Sequence, residues 1–248
     1  MLSVHAVPAG ASRRPPIVLV HGACNSAGVW RYWQADLASR GWSSWALDLR
    51  GHGASPVGDL ASTTMADYAD DVAAIAGELA RPPIVMGWSL GGLAAMLAAA
   101  RGRVSGYVGL APSPPARQRD ASVVLRHATF DAAEYGITSL DPFDQPTMRD
   151  LDAEERRIAL ASLGLESRLA RDERKAGVVL TALPCPALIV ASTGDATFQP
   201  SAYADLPIKA ERVVVDGASH WGLVLNRRLL TTLVPTVTAW LERACRGA

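Results

Sequence analysis

The sequence predicts an α/β fold: a mostly parallel sheet flanked by helices, interrupted by one helical insertion. Three observations carry this. Short apolar runs alternate with longer helical stretches, the pattern of a parallel sheet covered on both faces. The runs are apolar on both faces, as buried parallel strands must be. The chemically unusual residues fall just after the carboxyl ends of those runs, where such sheets place their ligands.

The elements follow in order. Ile17–Val20 is a continuous apolar run that ends at His21-Gly22. Residues 42–47 (WSSWAL) lead into Asp48-Leu49-Arg50-Gly51-His52-Gly53. Residues 84–86 follow a Pro-Pro pair and end at Gly87, and 107–110 end at Ala111-Pro112. Residues 187–190 follow Pro184-Cys185-Pro186 and end at Thr193-Gly194-Asp195, and 212–215 end at Asp216-Gly217. Helical patterns occupy 29–40, 64–80, 90–101 and 223–246, and Thr64 with Asp67 forms a helix-start pair. The stretch 113–181 breaks the rhythm. It opens with Ser113-Pro114-Pro115, holds a charged helical run at 153–175 and shows no clear buried strand. It reads as a mostly helical lid, too poor in apolar residues to own a core. The expected division is therefore a core of 1–112 and 182–248 with a lid of 113–181.

Composition narrows the function. The 248 residues suit one larger domain. There are 24 basic and 24 acidic residues and no basic block interleaved with aromatics, so nothing suggests nucleic acid. The zero balance also argues against a polyanionic substrate steered by a global field. No apolar run approaches the ~20 residues that span a bilayer, and the N-terminus lacks the pattern of a secretory signal. Cys24, Cys185 and Cys245 form no CxxC pair and no zinc spacing. The expectation is a cytoplasmic protein with a small-molecule substrate, no metal and no organic cofactor. Nothing in the sequence demands an oligomer.

Gly87-Trp88-Ser89-Leu90-Gly91 is a GxSxG match between a strand and a helix pattern, the context that gives this motif meaning. A turn that tight strains its Ser, and small residues two positions either side let strand and helix approach. The bland alternative is a glycine-rich turn with no chemistry. A neutral hydroxyl needs a base to take its proton. Of five histidines, His220 alone lies on a late loop after the last strand. His5 reads as a surface or strand residue, His127 as a lid residue, and His21 and His52 as structural hydrogen-bonders in their turns. The acid that orients the imidazole is expected to be Asp195. Asp216 is the rival, four residues from His220 on a turn that favours Asp-Gly, and Asp205 is a weaker one. An acyl transfer also needs N–H donors for its oxyanion, each worth ~3 kcal/mol. Leu90 and Ala23 are the expected donors, with Cys24 the alternative to Ala23 and a wall of the pocket. Trp88 and Trp221 are the other expected substrate contacts. Phe130, Phe143 and Met148 are candidates to face the pocket, with lid packing as the alternative for each.

Together, His21-Gly22, Asp48 to Gly53, Gly87 to Gly92, Gly194-Asp195 and Gly217 to His220 resemble the α/β-hydrolase superfamily over nearly the whole chain outside the lid. The GWSLGG elbow is similar to that of pimeloyl-carrier-protein methyl ester esterases. The opening strand and loop are similar to lysophospholipase-like and small carboxylesterase members. The resemblance implies the α/β-hydrolase fold, a Ser-Asp-His order and a lid after the sixth strand of the family's numbering. Two departures stand out. Only about fifteen residues precede Ile17, which leaves an N-terminal hairpin shortened or missing. Trp88 stands beside the nucleophile where His is frequent in the family. The implied activity is hydrolysis of a carboxylic ester on a small or medium apolar substrate. The alternatives are a thioesterase, a carbon–carbon bond hydrolase using the same triad, and a ligand-binding receptor that retains the fold.

Overall fold

The structure is a computed structural model, and it describes residues 1–10, 12–56 and 58–245. In chain order the strands and helices are β1 (Val4–Val7), β2 (Ile17–Val20), α1 (Arg31–Ser39), β3 (Ser44–Leu47), α2 (Met65–Glu78), β4 (Ile84–Trp88), α3 (Ser89–Ala100) and β5 (Gly106–Leu110). There follow β6 (Thr129–Phe130), α4 (Ala153–Ala161), β7 (Glu166–Ser167), α5 (Arg168–Ala176), β8 (Ala187–Ser192), β9 (Glu211–Val215), α6 (Gly222–Leu225) and α7 (Arg227–Ala244). Seven strands form one sheet in the order β1-β3-β2-β4-β5-β8-β9. All neighbours are parallel except β1, which runs antiparallel to β3 with Val4 opposite Leu47.

The inner strands behave as their composition demands. Every residue of β2, β4, β5 and β8 is buried, and each fully buried Val, Leu or Ile stabilises by ~1.5–3 kcal/mol. One face packs under α1 and α7, where Trp33, Leu37, Val234 and Trp240 are buried. The other packs under α2 and α3 through Tyr68, Val72, Leu93 and Met96. Helix starts are held by side chains. Thr64 and Asp67 form a reciprocal capping box at α2, and Asp152 and Glu155 do the same at α4.

Three sequence expectations change, and the N-terminus has the shortened form expected of it. The 212–215 strand is not buried on both faces: β9 is an edge strand, and Val214 is 54% exposed. The helix expected over 223–246 is two, because Asn226 takes an extended conformation between α6 and α7 and caps the second by accepting Leu229 N–H at 3.0 Å. Arg246, its expected end, lies outside the described residues, as do 247 and 248 of the expected core. At the N-terminus a single antiparallel edge strand, β1, stands where the family resemblance leads one to look for a hairpin. The 113–181 stretch also carries a small antiparallel ladder, β6 with β7. Its helical content is α4, α5 and two short 3-10 turns, Ala132–Tyr135 and Pro146–Met148. Its apolar residues Phe130, Met148, Leu151 and Ala159 join the main hydrophobic cluster.

Candidate active site

The chain passes from β4 into α3 with no intervening loop, and Ser89 is the residue at the corner. Its φ is 56°, a left-handed conformation that costs a non-glycine residue ~1–3 kcal/mol. The flanking glycines make the corner possible. A Cβ on Gly87 would lie 2.3 Å from Gly91 O, and one on Gly91 would lie 2.0 Å from His21 O. Among the described residues Ser89 Oγ has no hydrogen-bond partner, while its carbonyl accepts Ser113 N–H at 2.9 Å. The hydroxyl faces a cavity of about 400 Å³ whose wall also includes His220, Ala23, Trp88 and Trp221.

Asp195 follows β8 and His220 follows β9, so adjacent strands deliver both to the same rim. The two loops touch closely: a Cβ on Gly194 would lie 2.3 Å from Gly217 O. His220 Nδ1 meets Asp195 Oδ2 at 2.7 Å. Asp195 is fully buried, and its Oδ1 accepts N–H groups from Thr197 at 2.6 Å and Phe198 at 3.0 Å. Burial pushes its carboxyl up, but the His220 hydrogen bond and charge and these two N–H groups outweigh it and hold it below the ordinary carboxylate value. With Nδ1 engaged, Nε2 is the ring nitrogen left for the cavity. No Ser89–His220 hydrogen bond is formed among the described residues; such bonds commonly tighten only with substrate present. The imidazole is further held by Trp88, whose indole N–H donates to His220 O at 3.1 Å and whose ring lies 5.1 Å from it. Trp221 packs against Trp88 with ring centres 4.9 Å apart and planes tilted by 59°. The rival acids stand elsewhere. Asp216 accepts the Thr193 hydroxyl and Asp205 pairs with Arg117 at the surface.

The loop after β2 supplies the other half of the site. Cys24 has φ 59°, and its N–H donates to Glu166 Oε2 at 3.2 Å. That bond removes it as an alternative oxyanion donor. Ala23 N–H has no acceptor among the described residues, and Leu90 N–H belongs to the first turn of α3, where no intrahelical acceptor exists. The Cys24 side chain lines the cavity. Burial and the Glu166 charge push its thiol well up, so it stays a neutral wall.

Glu166 was not legible in the sequence as a functional residue. It is a fully buried carboxylate that accepts Tyr68 OH at 2.5 Å and Ser167 N–H at 2.7 Å, besides Cys24 N–H, with His52 Nε2 at 3.4 Å. Burial would raise it, but the His52 charge, then the hydrogen bonds from Tyr68 and Ser167, bring it down to about 2. Asp150 has a matching place on the opposite side, where its Oδ2 accepts Ser219 N–H at 3.0 Å next to His220. No local pattern marks either residue, because the loop N–H groups they hold at Ser219 and Cys24 lie 69 and 142 positions away.

The remaining histidines are structural. His21 Nδ1–H donates to Gly22 O at 2.8 Å and Nε2 accepts Leu49 N–H at 3.1 Å, which fixes a neutral ring. Burial and then the neighbouring His52 charge lower it to about 4. His52 Nδ1 donates to Arg50 O at 3.0 Å. His5 is exposed near Asp48, and His127 meets Ser62 at the surface. The three candidate residues of the 113–181 stretch do not reach the cavity wall: Met148 and Phe130 are buried in the core cluster and Phe143 is 72% exposed. Among the described residues no helix is long and apolar enough to cross a membrane.

This arrangement can be set beside known proteins. The profile of the Alpha/beta hydrolase family matches residues 17–229. Over 104 residues the chain is 39% identical to protein phosphatase methylesterase 1 of Mus musculus and 38% identical to that of Homo sapiens. The match covers 40% of this chain and 27% of those relatives, so the chain spans about a quarter of their length. Among solved structures, a thermophilic esterase from Thermogutta terrifontis superposes with a TM-score of 0.69 at 19% identity, covering 98% of this chain and 93% of that one. A monoacylglycerol lipase from Paleococcus ferrophilus gives 0.64 at 22% identity, covering 95% and 99%. The structural likenesses speak to the fold, and the profile match over most of the chain establishes that this protein belongs to the alpha/beta hydrolase family.

Proposed function

We propose that the chain is a serine hydrolase of carboxylic esters, with Ser89 as nucleophile, His220 as base and Asp195 as the acid that orients it. The observation that carries this reading is His220 tied to Asp195 at 2.7 Å on the wall of the cavity that holds a strained serine with a free hydroxyl. Ser89 Oγ attacks the carbonyl carbon while His220 Nε2 takes its proton. The carbonyl oxygen, now negative, receives Leu90 and Ala23 N–H groups. On collapse the alcohol leaves with the proton from His220. Water then attacks the acyl-enzyme, gives its proton to His220, and the acid departs as Ser89 regains one. Each half-reaction closes its proton balance without a cofactor.

The 113–181 stretch is, in this reading, a lid over the strand ends: Tyr135, Ile137, Leu163 and Arg174 form part of the cavity wall. The substrate is a small molecule whose body meets mostly apolar surface, with Trp88, Trp221 and Cys24 among its contacts. The test is Ser89→Ala against p-nitrophenyl butyrate. A fall in kcat of about 10³–10⁶ with an unchanged circular dichroism spectrum is expected. Turnover retained by the variant rejects the assignment.

A further inference from the structure

The cavity in front of Ser89 has a one-sided charge. Four cations line it, Arg149, Arg171, Arg174 and Lys175, and no Asp or Glu does. The whole chain is neutral, so this bias is local. Arg174 is the notable member. Three arginines of the same stretch are neutralised, Arg126 by Asp172 and Arg168 and Arg171 by Glu134, whereas Arg149 and Lys175 in the wall form no ion pair among the described residues. Arg174 has no carboxylate within 4.0 Å among the described residues. Its guanidinium is held by two neutral hydroxyls, Nη1–H donating to Ser113 Oγ at 2.7 Å and Nη2–H to Tyr135 OH at 2.9 Å. Its Nε–H is buried and has no partner.

We infer that Arg174, held by Ser113 and Tyr135 beside the nucleophile, grips a carboxylate on the substrate, so the ester hydrolysed here is one that carries a free acid group. This rests on the serine-hydrolase reading of the same cavity. An unneutralised guanidinium in a mostly apolar wall is costly to keep unless a ligand supplies the counter-charge. The donor set fits a carboxylate. Arg174 keeps N–H groups beyond the two already used, and its planar fork suits two oxygens. Ser113 and Tyr135 accept from Arg174, which leaves their own O–H protons available to donate. Burial raises the Tyr135 phenol despite the Arg174 charge, so it keeps its proton. The position is also suitable, since Ser113 N–H is bonded to Ser89 O at 2.9 Å. Nearby acids are engaged elsewhere: Glu166 by His52 and Tyr68, Glu134 by its arginines, and Asp131 by capping Ala133 N–H.

Two matched pairs of esters test this. In one, the acid is on the acyl arm: mono-p-nitrophenyl glutarate against its methyl-capped diester. In the other it is on the alcohol arm: 4-butanoyloxybenzoate against its methyl ester. The wild type should favour the anionic member of one pair by about tenfold or more in kcat/KM. That pair identifies the arm. Arg174→Met should bring the ratio within the pair close to one, and Arg174→Lys should retain part of it. A purely structural Arg174 would lower both members together and leave the ratio intact, which overturns the inference. So would a wild type with no preference in either pair. Binding of glutarate to Ser89→Ala, followed by thermal shift, needs no turnover. A stabilisation lost in Ser89→Ala/Arg174→Met supports the carboxylate site even if ester cleavage fails, and no stabilisation with the parent contradicts it.

Discussion

The sheet core and the 113–181 stretch both build the cavity, and they do so by different physics. The core delivers its groups through local backbone geometry. Ser89 is placed by a turn whose glycines permit no Cβ, and Asp195 and His220 by the ends of neighbouring strands. The 113–181 stretch contributes by reaching back. Glu166 holds the Cys24 N–H and Asp150 holds the Ser219 N–H, while Arg174 is fixed within the stretch by Ser113 and Tyr135. The core therefore carries the groups proposed to react. The added stretch carries the groups that hold their loops in place and bias the cavity's charge. Substitutions in the two regions should then fail in different ways, one in chemistry at constant stability and the other in both together.

The largest effect is expected on the core side. Asp195→Asn keeps the shape of the side chain but no longer stabilises a charged imidazole, and should lower kcat by about 10³–10⁴. Its melting temperature should change far less than its rate, as differential scanning calorimetry beside a steady-state assay would reveal. A variant that loses rate only in proportion to unfolding would erase the contrast.

Glu166→Gln comes next, from the other side. It leaves His52 without its counter-charge and weakens the hold on Cys24 N–H. Breaking a buried ion pair from one side costs about 3–5 kcal/mol, readable by urea denaturation, with a parallel fall in kcat as the Ala23 N–H loses its fixed position. Unchanged stability would mean that Glu166 does not brace the loop proposed to hold the oxyanion donor.

The smallest effect separates the regions by pH. His21, in the core, is kept neutral when folded, so its contribution is complete above 6.5 and falls away as pH drops towards about 4. Glu166 is kept charged, so its contribution is complete above 4.5 and is lost only as pH falls towards about 2. His21→Gln should flatten the upper window by about 3 kcal/mol and Glu166→Gln the lower one. Stability curves of the two variants that overlay across both windows would contradict this division.

The same contrast explains what the sequence allowed one to read. Residues 87–92 encode their own geometry, because a strand-to-helix corner with glycine at fixed offsets has few solutions. Runs such as Ile17–Val20 announce burial by being apolar throughout. Asp195, Asp205 and Asp216 all lie between Ser89 and His220, so chain order does not choose among them; what favours Asp195 is the awkward reach of Asp216 to a histidine four residues away on the same turn. Edge position is not written in the same way: Val213-Val214-Val215 reads as buried, yet lies on the outer strand. The division of the last helix at Asn226 was hidden by apolar periodicity that continues across it. Glu166 and Arg174 sat unseen inside a charged run because their meaning is set by His52, Tyr68 and Ser113, far away in sequence. Periodicity speaks only to neighbours along the chain.

The central claim is that the hydroxyl at the strained corner is made nucleophilic by His220 and Asp195. Labelling with a fluorophosphonate, followed by peptide mass spectrometry, tests it most directly. The account predicts a single adduct on the peptide containing Ser89, absent from Ser89→Ala and slowed at least a hundredfold in His220→Ala. Labelling that persists in Ser89→Ala, or proceeds at the wild-type rate in a folded His220→Ala, would contradict it.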